Sequence, residues 1–94
     1  SLTNSAIQQS KVGVTIKGTI VDQNGEPIIG ASVVEAGTTN ATVTDIDGNF
    51  TLKASSANAV LDVTYVGFTS QQVKAKNGHV ARIVLKENSQ SQAW

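Results

Sequence analysis

The sequence predicts an all-β protein, a seven-stranded antiparallel β-sandwich. Three observations carry the prediction. Apolar residues recur with a period of two rather than the roughly 3.6 of a helix. Turn residues (Gly, Asn, Asp) cluster at near-regular intervals between the apolar stretches. No helical pattern outlasts one turn, and Thr and Val, which suit a pleated surface, are abundant.

In the first strand Val12, Val14, Ile16 and Ile20 alternate with Gly13, Thr15, Lys17 and Thr19. Gly18 and Val21 disturb the alternation, and Gly18 marks either a bulge or a close approach. Asn24-Gly25 supplies the positive φ angles of a tight turn. Pro27 lacks an N–H, so residues 26–30 read as a connection. Gly30 and Ala31 are small, as a close approach of strands requires.

A second strand follows over Ala31 to Glu35, and Gly37 to Asn40 turn the chain. The third strand, Ala41 to Thr44, is expected to carry Val43 inward. Asp45-Ile46-Asp47-Gly48-Asn49 is the next dense turn, with Asp45 accepting bonds from its own turn amides. Phe50 to Lys53 alternates again, and residues 55–59 form a loop.

Leu61, Val63 and Tyr65 share one face of the fifth strand. Its other face carries Val60, Asp62, Thr64 and Val66, and the two ends of that face are expected to be covered as well. Gly67 breaks the run, and a sixth strand spans Thr69 to Ala75. Asn77-Gly78 is the cleanest hairpin signal in the chain. The last strand puts Ala81, Ile83 and Leu85 on one face and Val80, Arg82, Val84 and Lys86 on the other. The predicted core is Val14, Ile16, Ile20, Val33, Val43, Phe50, Leu52, Leu61, Val63, Tyr65, Val73, Ile83 and Leu85. Each contributes about 1.5–3 kcal/mol on full burial.

A chain of 94 residues is one domain. Residues 1–11 read as a flexible N-terminal segment, 12–87 as the sandwich, and 88–94 as a polar tail or linker. The opening SLTNSAIQQS is too polar to retain a signal peptide. It fits a mature N-terminus left by signal cleavage or an arbitrary boundary. No apolar run nears the roughly 20 residues that span a bilayer, so direct membrane insertion is not expected. Without cysteine there are no disulfides or thiolate metal sites. Seven basic residues balance seven acidic ones. Lys53, Lys74, Lys76, Lys86 and Arg82 are scattered, so nucleic acid is not an expected partner.

The residues Lys17-Gly18-Thr19-Ile20-Val21-Asp22 and Asn24-Gly25-Glu26-Pro27-Ile28-Ile29-Gly30-Ala31-Ser32-Val33 resemble the carboxypeptidase-regulatory-like family of transthyretin-like (prealbumin-like) sandwiches. Gly37-Thr38, Thr44 to Leu52, Val63-Thr64-Tyr65-Val66-Gly67-Phe68 and Val80 to Leu85 continue the match, which covers about residues 14 to 86. The resemblance implies a Greek-key topology. This version is especially similar to the N-terminal extension of SusC/RagA-type TonB-dependent outer-membrane transporters. It implies a periplasmic domain, part of an outer-membrane protein, ahead of a plug and barrel. Its partners would be periplasmic proteins, either the energy-transducing system or the rest of the transporter. Family members often have glycine where this chain has Asn40, and Asn tolerates the left-handed conformation such a turn needs.

No residue is assigned a catalytic, cofactor-binding or metal role. Asp45, Asp47 and Asn49 alternate like calcium ligands, but an EF-hand loop needs Gly sixth and Glu twelfth, where this chain has Phe50 and Ser56. The turn reading is preferred. His79, the single histidine, flanks the Asn77-Gly78 turn with no ligand set around it. Gly30-Ala31-Ser32 is not a nucleophile elbow. Asn40-Ala41-Thr42 and Asn49-Phe50-Thr51 match a glycosylation sequon and read as turn and strand residues. Tyr65 and Phe68 are the only candidates inside the fold for a carbohydrate platform, with packing the preferred role.

The leading expectation is a non-catalytic periplasmic domain of a transporter for glycans or other nutrients. It would act as a spacer, or offer a strand edge to a partner by β-augmentation. The alternatives are a surface adhesion or stalk module, in which Lys17 could form a Lys–Asn isopeptide bond, and a carbohydrate-binding module.

Overall fold

The computed structural model describes residues 13–88. Val12, the segment 1–11 and residues 89–94 of the expected tail lie outside them. The described residues form strands β1 (Val14–Val21), β2 (Ser32–Glu35), β3 (Ala41–Val43), β4 (Asn49–Ala54), β5 (Val60–Thr64), β6 (Gln71–Lys74) and β7 (Ile83–Val84), with no helix.

One sheet has the order β4-β1-β7 and the other β3-β2-β5-β6. The chain crosses between sheets after β1, β3, β4 and β6, while β2–β3 and β5–β6 are hairpin-connected within a sheet. All the strand pairs are antiparallel except β1–β7, in which Ile20 faces Ile83 and Val21 faces Val84 in parallel. Consequently β7 ends where β1 ends. The Asn77-Gly78 turn does form, with both residues at positive φ and reciprocal backbone bonds between Lys76 and His79. Its hairpin is one bridge long, because the chain then leaves β6 to join β1.

The period of two becomes a layered core. Ile16, Ile20, Val33, Phe50, Leu52, Leu61, Val63, Ile83 and Leu85 are buried as expected. Tyr65 and Val73 pack against them half-buried, and Val14 is also half-buried. Val43 departs from expectation: it is 61 % exposed. The register explains this. Val33 faces Thr42 and Ser32 faces Val43, so burying Val33 turns Val43 outward. Ala81 is also exposed, since regular pairing begins only at Ile83. Ile28, Ala31, Ala54, Ala59 and Ala75 complete the core.

Two turns share one construction. Asp22 and Asp45 each accept bonds through Oδ1 from the amides two and four residues on. Each Asp carbonyl also accepts from a glycine three residues on, Gly25 or Gly48. Gly25 alone carries the positive φ of the first turn; Asn24 does not share it. Gly48 needs its φ of +78°, and a Cβ there would stand 2.6 Å from the Ile20 carbonyl oxygen. Gly30 is required for its φ of +81° and not for space, since a Cβ would meet nothing within 4 Å. At Gly18 space decides: the Phe50 ring and Val80 occupy the place of its side chain, which resolves the choice in favour of close approach.

Candidate contact surface

The β1–β2, β3–β4 and β5–β6 connections gather at the end of the sandwich where β1 finishes. Ser32, Val43, Thr64 and Gln71 lie there on neighbouring strands of one sheet. Val21 and Val84 lie there in the other. Side-chain and backbone bonds knit the β1–β2 and β3–β4 connections together. The Thr44 hydroxyl is buried, accepts from the Ala31 amide at 2.8 Å and donates to the Ile28 carbonyl at 2.6 Å. The Gly30 amide donates to the Thr44 carbonyl. Gly67, at φ +83°, closes a turn in which the Phe68 amide donates to the Tyr65 carbonyl.

This end carries every large hydrophobic residue found exposed among the described residues: Val66 (84 %), Ile46 (72 %), Val43 (61 %), Ile29 (53 %) and Val84 (39 %). Val66, Ile46 and Ile29 lie in turns, where polar residues are the rule. The expectation that Val66 is covered at the end of a strand face fails: the strand ends at Thr64 and Val66 is exposed. A cluster of apolar loop tips at one end has the composition of a contact surface.

The opposite end is polar. The Glu35 carboxylate is buried there and accepts from the Ser55 hydroxyl, from the Ser55 amide at 3.2 Å and from the Asn40 side-chain amide at 3.1 Å. The Ser55 hydroxyl and then the Asn40 amide hold its carboxyl below the ordinary carboxylate range, against an opposing effect of burial. Asn40 does not take the left-handed conformation; Gly37 does. Asn40 instead reaches from the β2–β3 loop to the Lys53 carbonyl on β4, at 2.5 Å. On the other flank Gln71 of β6 donates to the Val84 carbonyl of β7, also at 2.5 Å. Side-chain amides thus clip together the facing edge strands of the two sheets on both flanks. Both clips occupy edge carbonyls that an added strand would need.

The other residues weighed from sequence are scattered. Asp45 Oδ1 is committed to two turn amides. His79 is exposed, bridged through its backbone to Lys76 and Lys17. Among the described residues no three of His, Cys, Asp and Glu converge. Ser32 is half-buried on β2. Tyr65 and Phe68 are half-buried and pack on each other with centroids 5.5 Å apart and planes tilted by 54°, which offers no flat platform. Lys17 is exposed on β1 opposite Thr51. Sequence reasoning missed Glu35 and the exposed loop tips. Period two from Val33 points Glu35 inward, and Ile29 and Val66 each stand next to a turn glycine, Ile46 two residues from one.

Comparison with known proteins supplies the context. The CarboxypepD_reg-like domain family matches residues 16–93. The TonB-dependent receptor SusC of Bacteroides thetaiotaomicron is 38% identical over 77 residues, 82% of this chain and 7% of the receptor. The TonB-dependent receptor P39 of Formosa agariphila is 38% identical over 76 residues, 81% of this chain and 7% of that receptor. The chain therefore spans about 7% of the length of these relatives. Among solved structures, a type II cohesin-X-dockerin complex from Acetivibrio cellulolyticus contains a similar fold. The TM-score is 0.67 at 20% identity, covering 80% of this chain and 58% of that one.

Proposed function

The chain belongs to the CarboxypepD_reg-like domain family, and from that premise we propose that it is the periplasmic N-terminal domain of a SusC-type TonB-dependent outer-membrane receptor. In this reading it takes part in uptake of a glycan or other nutrient without catalysing a reaction. It acts as an in-line spacer, with its contacts made by apolar loops.

The parallel β1–β7 pair carries this reading. The first described strand starts at the polar end, and the chain leaves β7 at the apolar end. Entry and exit are therefore separated by the length of β1, about 25 Å at roughly 3.3 Å per residue. Force or position applied to one terminus passes through the sandwich to the other. Identity to two TonB-dependent receptors supports the setting. The clipped edges favour loop contacts over strand addition as the contact mode.

A chimera tests the proposal. This domain replaces the matching segment of the Bacteroides thetaiotaomicron receptor, and growth on that receptor's nutrient is measured. The chimera should support growth, and the same chimera with Ile29, Ile46 and Val66 changed to Asp should lose it at equal receptor abundance. An unmutated chimera that reaches the outer membrane but does not support growth contradicts the proposal.

In-line termini equally suit a stalk module at the cell surface. Protease shaving of intact cells separates the two: a stalk is cleaved, and a periplasmic domain is protected.

A further inference from the structure

We infer that the apolar end docks a basic, apolar segment of a partner protein. One arginine or lysine of that segment sits between Asp22 and Glu87, and its apolar side chains lie on Val66, Ile29 and Ile46. The inference rests on the proposed loop-contact mode, names the partner's chemistry, and does not depend on the receptor setting.

Charge is sorted along the sandwich. Asp22 and Glu26 stand in the β1–β2 connection, Asp45 and Asp47 in the β3–β4 connection, and Glu87 on the bridge to Phe68. Five of the chain's seven acids therefore share the end that carries the apolar tips. Two cations accompany them: Arg82, whose guanidinium lies over Gly25, and Lys86, just beyond β7. Lys53, Lys74 and Lys76 stand at the opposite end. A surface with apolar tips and an acidic surround complements a partner that is apolar and basic. It repels an acidic protein or an anionic lipid surface.

A cavity beside the tips suits the cation. It has a volume of about 250 Å³ and is lined by Asp22, Gln23, Asn24, Phe68 and Glu87, two carboxylates and an aromatic ring with no basic residue. Asp22 Oδ1 already accepts from the Asn24 and Glu26 amides, which leaves Oδ2 to meet a ligand. The Phe68 ring is steadied by its packing on Tyr65. An ammonium or guanidinium there pairs with the carboxylates and is drawn to the ring. Val66 is two residues from Phe68, and the Gly67 carbonyl between them accepts from the Asn88 amide at 2.9 Å, which anchors this tip beside the cavity. Thr64 pairs with Ser32 and Ser32 with Val43, so the apolar tips extend three adjacent strands. At about 5 Å between strands the tips spread over roughly 10 Å. An extended segment places side chains on one face about 7 Å apart, so three alternate residues reach the cavity and the tips together.

The probe is a synthetic serine–glycine peptide carrying one arginine and, two and four residues on, two leucines. It is titrated into the isotope-labelled whole chain and followed by amide NMR shifts. Saturable shifts should appear at Gly67, Phe68 and Glu87 and in the loops of Ile29 and Ile46, and Ser55 and Lys76 should not move. A peptide with glutamate for the arginine should not bind, and one with serine for both leucines should bind severalfold more weakly. Binding should weaken about two- to fivefold in E87Q, as for the loss of one exposed ion pair. V66S should weaken it severalfold, and K76Q, at the opposite end, should leave it unchanged. Unfolding midpoints check that each variant folds. The inference is overturned by the absence of saturable shifts, by equal binding of the glutamate peptide, or by an affinity unchanged in both E87Q and V66S. Shifts at this end that change on dilution without peptide would indicate a second copy as the occupant and overturn it as well. A chimera that supports growth beside a peptide that does not bind removes the partner chemistry alone and leaves the receptor proposal standing.

Discussion

The Ser55 hydroxyl donates to the Glu35 carboxylate and thereby ties the end of β2 in one sheet to the residue just beyond β4 in the other. Asn40 joins the same carboxylate and also holds the Lys53 carbonyl. One buried acid with three donor groups around it closes the polar end of the sandwich. Among the described residues no buried side-chain polar atom lacks a partner.

This acid gives stability a pH dependence with a defined sign. The folded carboxyl lies below its ordinary value of 4.5 because Ser55 and Asn40 stabilise the charged form. The unfolded state therefore binds more protons between the folded and ordinary values. The stabilisation is complete above the ordinary value and is lost as pH falls through the folded one. Urea unfolding from neutral pH downward should show a steeper acid decline for the wild type than for E35Q. Parallel declines would contradict this role.

The turn glycines separate strain from space. G30A should cost about 1–2 kcal/mol, the price of a left-handed alanine in open space. G48A should cost more, because its methyl also meets the Ile20 carbonyl at 2.6 Å. Denaturant midpoints at an unchanged slope check the order of the two.

At Gly18 the limit is steric, since its φ is not in the left-handed region. G18A forces a methyl to within 2.4 Å of Val80 and 2.5 Å of the Phe50 ring. A loss of about 1–3 kcal/mol is expected, as for other overpacked sites. Adding V80A should recover part of it, and an additive double variant would contradict the packing described.

The Asn40 and Gln71 clips should guard the flanks. N40A and Q71A each remove one side chain–backbone bond, a loss of about 0.5–1.5 kcal/mol. N40A also removes a partner of Glu35, so Q71A is the cleaner test. Sedimentation should show concentration-dependent self-association for Q71A and none for the wild type. A monomeric Q71A would mean that the clip does not protect the edge.

The strands and turns were legible because local chemistry and tertiary demand agree. Ile16, Leu52, Leu61 and Ile83 alternate and are buried; Asp45 and Gly78 have the side-chain or backbone properties their turns need. Reading failed where pairing partners decide. Nothing local tells Val43 from Thr42, and only the register with Val33 and Ser32 settles which faces inward. The parallel course of β7 was hidden because Asn77-Gly78 signals a hairpin that does close, but for a single bridge. Ala54, Ala59 and Ala75 are buried, but alanine is too weakly apolar for periodicity to mark. The contact surface was least legible: Ile46 reads as part of a turn and Val66 as the end of a strand face, and only the strand order places their two connections at one end.

The in-line path of the chain is tested most directly by one distance. The chain lacks cysteine, so T15C/K86C can carry two spin labels for double electron–electron resonance. Both positions are exposed, at the start of β1 and just beyond β7. Parallel pairing predicts a backbone separation of about 26 Å, since Thr15 lies six residue steps before the Val21–Val84 pair and Lys86 two steps beyond it, at roughly 3.3 Å per step. A separation of about 10 Å or less would place entry and exit side by side and contradict the spacer geometry.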